Sequence, residues 1–375
     1  MPIGYLLTVL LVAAATASAL WPRPTNGPHA TPSFALGTLA NEIPFMLAWY
    51  LLFSTWVAWD TGDLATPASW VVAGLAALAL AGLTWIAWQS RRSWDVLEAA
   101  LDAALGADRP RASRPRHRLR SAWSLVAPFR LPNPRIQRTR NVSYGPSERW
   151  NRLDVYRRRD VVSGPTFVYL HPGGFHSGSK NRQSKLLLET RAGHGWVCVS
   201  ADYHLRTDYP AILIDAKRVL AWVCTEGAAH GADAGTLVVA GGSAGAHLAV
   251  ICGLSANQPE LQPGFETVDT SVAAVIGLYG YYGRVFGQHP SAPEDYSGSS
   301  PPPLLVVHGE KDPMAAAGQA REFAETMRAG GGSPVAYAEF PAAGHNFDLF
   351  ASLRHTAVTT AVLEFTTWLT ARRTT

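Results

Sequence analysis

Ser243 stands in Gly241-Gly242-Ser243-Ala244-Gly245, after the apolar β-branched run Thr236-Leu237-Val238-Val239-Ala240 and before an Ala/Leu-rich stretch at 246–254. Strand, G-x-S-x-G, helix is the setting in which a serine becomes a nucleophile. The turn is sharp, its neighbours must be small, and the helix that follows aims its free N–H groups and positive end at the reacting centre. An inert Gly/Ser-rich turn reads the same over five residues, so the partners decide. A serine hydroxyl needs a base, and the base needs a carboxylate to fix its tautomer. His345 lies in Gly344-His345-Asn346-Phe347-Asp348, and Asp312 in His308-Gly309-Glu310-Lys311-Asp312-Pro313. Each has an ordinary use, Asp312 as a helix cap and His345 as a loop residue. Glu310 competes as the acid, and Asp348 suits a cap on the last helix. His171-Pro172-Gly173-Gly174-Phe175 supplies what attack on an ester carbonyl also requires, N–H donors waiting for the oxyanion. Gly173 and Gly174 can donate, Pro172 cannot, and Ala244, next to the nucleophile, adds a third donor.

These residues need a scaffold that gathers them. Apolar runs at 153–156, 166–170, 196–201, 236–240, 272–278, 303–307 and 335–340 read as strands. Between and after them, 211–223, 246–254, 315–327 and 350–369 have helical spacing. Alternation of this kind predicts an α/β fold, a mostly parallel doubly wound sheet covered on both faces. Ligands of such sheets sit at the C-terminal ends of the strands, where Ser243, Asp312, His345 and the glycine pair all fall.

With those motifs in place, residues from about 140 to 372 resemble the α/β-hydrolase superfamily, specifically the hormone-sensitive-lipase-like esterase/lipase group (alpha/beta hydrolase fold-3). The group carries an H-G-G-G-type motif, a G-x-S-A-G elbow and a D-Y-R-L segment between them, here Asp202-Tyr203-His204-Leu205, followed by Tyr209-Pro210 and Asp215-Ala216. The resemblance implies Ser243 as nucleophile, Asp312 as acid, His345 as base, and Gly173, Gly174 and Ala244 as oxyanion donors. The chain order Ser…Asp…His agrees. Pro172 replaces the first glycine of the motif and His204 the usual arginine, which leaves the packing of that segment open. The group's N-terminal cap, which shapes its acyl pocket, has no counterpart by type here, so substrate preference does not transfer.

The N-terminal ninety residues are of another kind. Hydrophobic content is 47% with 13 tryptophans, against 16% charged residues, and the apolar excess is concentrated there. Residues 3–21, 43–59 and 64–90 are free of charge. The second and third reach the about 17–25 residues that cross a hydrocarbon core, with tryptophans towards their ends. Ala17-Ser18-Ala19 resembles a cleavage site, but no Lys or Arg precedes the first stretch, so an uncleaved first helix is expected. Arg91 and Arg92 abut the third stretch and six more arginines follow by Arg120, which predicts a multi-pass membrane protein with a cytoplasmic catalytic domain. The expected division is 1–90 membrane region, 91–140 amphipathic helix (Trp94, Leu97, Leu101 and Leu105 on one face) and Arg/Pro-rich tether, and 141–375 catalytic domain.

The expected partners are a small-molecule or lipid ester substrate and a lipid bilayer. Net charge is +4, and its local crowding makes no case for nucleic acid. No cofactor or metal is expected, since neither an H-E-x-x-H nor a paired Cys/His spacing nor a phosphate loop occurs. Cys198, Cys224 and Cys252 read as small buried hydrophobes. Phe175, Tyr281 and Tyr282, with Phe286, either line an apolar substrate site or pack elsewhere. His247 reads as structural, and Asn141-Val142-Ser143 as a sequon left unused in the cytoplasm. The expected reaction is hydrolysis of carboxylic esters through an acyl-enzyme. An amidase with the same triad and an inactive membrane scaffold remain alternatives, and the oligomeric state is open.

Overall fold

The computed structural model describes residues 3–24, 32–111, 133–296 and 301–373. One sheet of eight strands organises the C-terminal part: β1 Ile136–Ser143, β2 Arg152–Arg158, β3 Gly164–Leu170, β4 Val197–Ala201, β5 Ala232–Gly242, β6 Ala274–Leu278, β7 Leu304–Gly309 and β8 Val335–Phe340. Their order is β1-β2-β4-β3-β5-β6-β7-β8. β2 runs antiparallel to both its neighbours, and the rest pair in parallel. The period of two along each strand builds two cores. In β5, Leu237 and Val239 enter one, and Val238 and Ala240 the other. Strands buried on both faces therefore read as unbroken apolar runs.

The helices, in chain order, are α1 Ile3–Leu20, α2 Pro32–Glu42, α3 Pro44–Asp60, α4 Pro67–Leu105, α5 Lys185–Gly193, α6 Tyr209–Thr225, α7 Ala244–Leu254, α8 Ala317–Ala329 and α9 Leu353–Arg373. On one face α6, α7 and α8 bury Ile212, Leu248 and Phe323. On the other α5 and α9 bury Leu188 and Phe365, joined by Leu97 and Leu101 of α4.

The expected strands and helices occur, with ends shifted by a few residues. β1 was not expected, because it straddles the boundary drawn at residue 140, with 136–140 in the stretch read as tether. It is an edge strand, Ile-Gln-Arg-Thr-Arg-Asn-Val-Ser, with no fully buried side chain, so hydropathy cannot reveal it. Asn141, at φ +56°, interrupts its register, and its N–H donates to Asp154 Oδ1 at 2.9 Å. Asp348 does not cap α9, which starts at Leu353. It is buried and accepts from the Ser184 hydroxyl at 2.8 Å and the Tyr279 hydroxyl at 2.5 Å. The arginine-rich residues 112–132 lie outside the described residues.

In the N-terminal part, α1 and α4 are each long and apolar enough to cross a membrane, and α2 and α3 meet at 92°. Pro44, with no N–H to donate, opens α3 at that bend. Val9, Val12, Leu51, Ala58, Ala76 and Leu83 form a core of their own, while Leu7, Phe53, Trp56, Leu78 and Trp88 face outward. The third apolar stretch and the amphipathic helix expected after it are one element: α4 passes Arg91-Arg92 without a break, over 39 residues. Two fastenings hold this unit to the catalytic loops. Glu42 pairs with Arg354 at 3.3 Å and accepts from the Ser352 hydroxyl at 2.6 Å, and Arg354 also donates to the Asn41 carbonyl at 2.8 Å. Lys311 Nζ donates to the Leu20 carbonyl at 2.7 Å.

Candidate active site

Ser243 joins β5 to α7 at φ +52°, ψ −119°, a region that a side chain enters only when its surroundings force it. The forcing is visible. Its N–H donates to the Leu278 carbonyl at 2.9 Å. A Cβ on Gly241 would collide with the Gly245 backbone, and a Cβ on Gly245 with the carbonyl oxygens of Leu170 and His171. Only glycine lets the elbow lie against the end of β3. The first N–H groups of α7, beginning with Ala244, have no acceptor within the helix and face the same centre.

Asp312 follows β7 and His345 follows β8. His345 Nδ1 lies 2.6 Å from Asp312 Oδ2, and both side chains are buried. The other carboxylate oxygen, Oδ1, accepts from the N–H of Met314 at 2.8 Å and of Ala315 at 2.9 Å. Burial alone would push the Asp312 carboxyl up, but the charge of His345 and these hydrogen bonds outweigh it and hold it below the usual carboxylate range. The imidazole is held from the far side as well. The Tyr279 ring stands edge-on to it at 4.8 Å, and that ring is pinned by its hydroxyl on Asp348. His308, fully buried, donates from Nε2 to the Ala315 carbonyl at 2.9 Å and stands 3.4 Å from Asp312 Oδ2. Burial lowers its pKa, which favours a neutral ring beside the acid.

The Ser243 hydroxyl makes no hydrogen bond among the described residues, and it shares two cavities with His345. Links of this kind commonly tighten only around substrate. Gly173 and Gly174 line one of the cavities and Ala244 the other. Gly173 sits at φ +141° and Gly174 at φ +60°, and no hydrogen bond among the described residues engages their N–H groups. His171, at the head of this loop, stacks on Tyr203 at 4.2 Å, and the Tyr203 hydroxyl donates to its carbonyl at 2.6 Å. The His204 departure is absorbed locally, its Nδ1 lying 2.5 Å from Asp215 Oδ2.

The first cavity, about 300 Å³, is the more polar of the two, with Arg182, Gln183 and Asn346 in its wall beside Phe34, Met314 and Leu349. The second, about 270 Å³, is lined by Phe175, Tyr281, Val285 and Phe286. Tyr282, expected beside Tyr281, is not part of either wall. It turns inward and stacks on Phe323 at 4.4 Å in the core, because consecutive side chains leaving β6 point to opposite sides. It is Asp312 and not Glu310 that lies on His345 Nδ1; the Glu310 carboxylate accepts from the Ala342 N–H at 2.7 Å. His247 is structural, with Nε2 2.9 Å from the Tyr209 hydroxyl and Nδ1 2.8 Å from the Tyr281 carbonyl.

Three contributors were not foreseen. His308 was signalled only by its place four residues before Asp312, and Tyr279 only by its place after β6. Phe34 of α2 had no signal at all. Its ring lies 6.4 Å from that of His345 and walls the polar cavity, so the N-terminal unit contributes to the site directly.

The BD-FAE family profile matches residues 153–284. Esterase LipQ of Mycobacterium tuberculosis is 35% identical over 324 residues, covering 76% of this chain and 77% of that protein. The probable carboxylic ester hydrolase LipM of the same organism is 34% identical over 400 residues, covering 95% and 91%. Among solved structures, Thermogutta terrifontis esterase 2 phosphorylated by paraoxon aligns with TM-score 0.52 at 25% identity, over 61% of this chain and 92% of that one. An inhibited esterase B from Lactobacillus rhamnosis aligns with TM-score 0.56 at 18% identity, over 69% and 93%.

Proposed function

The chain belongs to the hormone-sensitive-lipase-like group of α/β-hydrolase esterases and is a carboxylic ester hydrolase, and from that premise we propose that Ser243, His345 and Asp312 are its catalytic triad. The observation that carries this reading is the buried Asp312–His345 hydrogen bond facing a strained serine across a shared cavity. Asp312 holds the proton of His345 on Nδ1 and leaves Nε2 free to accept. Ser243 Oγ attacks the ester carbonyl carbon while its proton passes to Nε2. The carbonyl oxygen, now negative, receives the N–H groups of Gly173, Gly174 and Ala244. Collapse breaks the carbon–oxygen bond to the alcohol, which leaves with the proton from His345. Water then attacks the acyl-enzyme by the same route and frees the acid. One ester half occupies the cavity of Phe175 and Tyr281.

Paraoxon, which phosphorylates the Thermogutta esterase, tests this. We expect it to phosphorylate Ser243, read as a mass shift on the peptide that holds it, and to abolish p-nitrophenyl butyrate hydrolysis. Ser243→Ala is expected to show neither label nor turnover. Turnover persisting in that variant refutes the triad.

The same proposal includes the bilayer. Residues 1–90 act as a multi-pass anchor and the residues from β1 onward as the catalytic unit, with Arg91 and Arg92 marking the cytoplasmic side. Support comes from two helices of spanning length and one bent pair. Protease added to inside-out vesicles is expected to digest the catalytic unit; protection there refutes the orientation.

A further inference from the structure

The two cavities that meet at Ser243 differ in character, and the difference bears on what the ester carries. An ester bound at the nucleophile must extend one half to each side of it. One side offers aromatic and aliphatic walls, with Phe175, Tyr281 and Phe286. The other mixes Ser177, Arg182, Gln183 and Asn346 with Phe34, Met314 and Leu349, and the Gln183 amide donates to Asn346 Oδ1 at 3.4 Å. An ester with one apolar and one polar half fits that pair.

The charge of the polar half follows from which cations are already matched. Arg284, in the apolar cavity's rim, faces Glu294 at 3.6 Å and Asp295 at 3.5 Å. Lys180, behind the glycine loop, holds Asp202 at 2.6 Å. Lys311 is taken by the Leu20 carbonyl. Arg182, an exposed residue of that cavity's wall, has no such tie among the described residues, and its one hydrogen bond is from its backbone N–H to the Ser179 carbonyl, 3.2 Å. No aspartate or glutamate lines either cavity among the described residues. A guanidinium left unopposed in a polar cavity attracts a planar or tetrahedral oxyanion, and it can bind one with two parallel hydrogen bonds. A cationic group placed there meets repulsion with nothing to offset it.

We infer that the enzyme takes esters whose polar half carries a phosphate or carboxylate, and that Arg182 is the residue that selects them. This rests on the reading of Ser243 as nucleophile. The test uses the full chain in detergent and three butyrate esters that differ only in the alcohol: glycerol, glycerol 3-phosphate and glycerate. Release of butyric acid gives kcat/KM for each. The wild type is expected to prefer at least one anionic ester over the neutral one by about tenfold, the scale of a partly exposed charge-assisted hydrogen bond. Which anionic ester leads distinguishes phosphate from carboxylate recognition. Arg182→Gln is expected to bring the anionic-to-neutral ratio to near one, and Arg182→Lys to keep part of it. Being a ratio, this readout is insensitive to any fraction of misfolded protein. A ratio unchanged in Arg182→Gln, or a wild type that prefers the neutral ester, overturns the inference. Ser243→Ala run on the same esters separates the two readings, because activity surviving there removes the nucleophile rather than the selectivity.

Discussion

Replacing Asp312 by asparagine exchanges one oxygen for an amide nitrogen, and the structure determines where that nitrogen goes. Oδ1 accepts two backbone N–H groups, from Met314 and Ala315. An NH2 group cannot accept, so the asparagine carbonyl must keep that place. The new NH2 then takes the position of Oδ2, 2.6 Å from His345 Nδ1. Two donors would face each other unless the imidazole shifts its proton to Nε2. Once there, that proton blocks the atom that must accept from Ser243. The expected result is a fall in kcat of about 10⁴ at neutral pH, about 5 kcal/mol of barrier. KM should change little, since neither cavity wall is altered. Both backbone acceptor contacts survive, so stability should fall by only about 1 kcal/mol. One further effect has a definite sign. Because the folded-state carboxyl is held below its ordinary value, the stability it contributes is full above the usual carboxylate range and is lost as pH falls through and below it. The variant lacks that share of acid sensitivity. Steady-state turnover of p-nitrophenyl butyrate, with enzyme concentration taken from absorbance of the folded protein, measures kcat directly. A kcat within tenfold of wild type, or a loss residing in KM, would refute the tautomer argument.

Gly245→Ala drives a methyl into the Leu170 and His171 carbonyls; we expect about 1–3 kcal/mol of destabilisation with reduced turnover, and an unaltered Tm and kcat would contradict the close packing. Burial holds the His247 imidazole down to about 4 from an ordinary 6.5. Its contribution is therefore complete above about pH 6.5 and declines by up to about 1.4 kcal/mol per pH unit towards pH 4; denaturant unfolding across that window should show a flatter slope in His247→Gln. Glu42→Gln leaves Arg354 buried without its carboxylate, and thermal unfolding in detergent should register a loss of about 3 kcal/mol or more, smaller when Arg354→Leu accompanies Glu42→Leu. Equal losses in the single and double variants would exclude that account of the pair.

The positions of Ser243, Asp312 and His345 were legible because each is a fixed residue type within a few residues of a strand's end, and strands buried on two faces announce themselves. Other features depend on contacts between distant segments. Tyr281 and Tyr282 are neighbours of one chemical type, and only the direction in which the chain leaves β6 sends one to the cavity and the other onto Phe323. Phe34 reaches His345 because α2 turns at Pro44 and is clamped by Arg354, and no local pattern encodes that. β1 is too polar to show as a strand until β2 lies beside it. The paired arginines 91 and 92 look like the end of an apolar helix, yet arginine is a good helix former, and α4 continues to Leu105.

That continuity settles where the molecule can be divided. At 1.5 Å per residue, the 39 residues of α4 extend about 58 Å, with Leu83 and Ile86 in one core and Leu97 and Leu101 in another. Just beyond its end, Arg109 ties Asp102 at 2.8 Å to Glu364 of α9. The seam between the N-terminal helical unit and the hydrolase therefore runs through the middle of α4. An excised hydrolase that begins at residue 133 would leave an apolar strip of α9 bare and Glu364 without its arginine. To be soluble on its own, the hydrolase must keep the lower half of that helix.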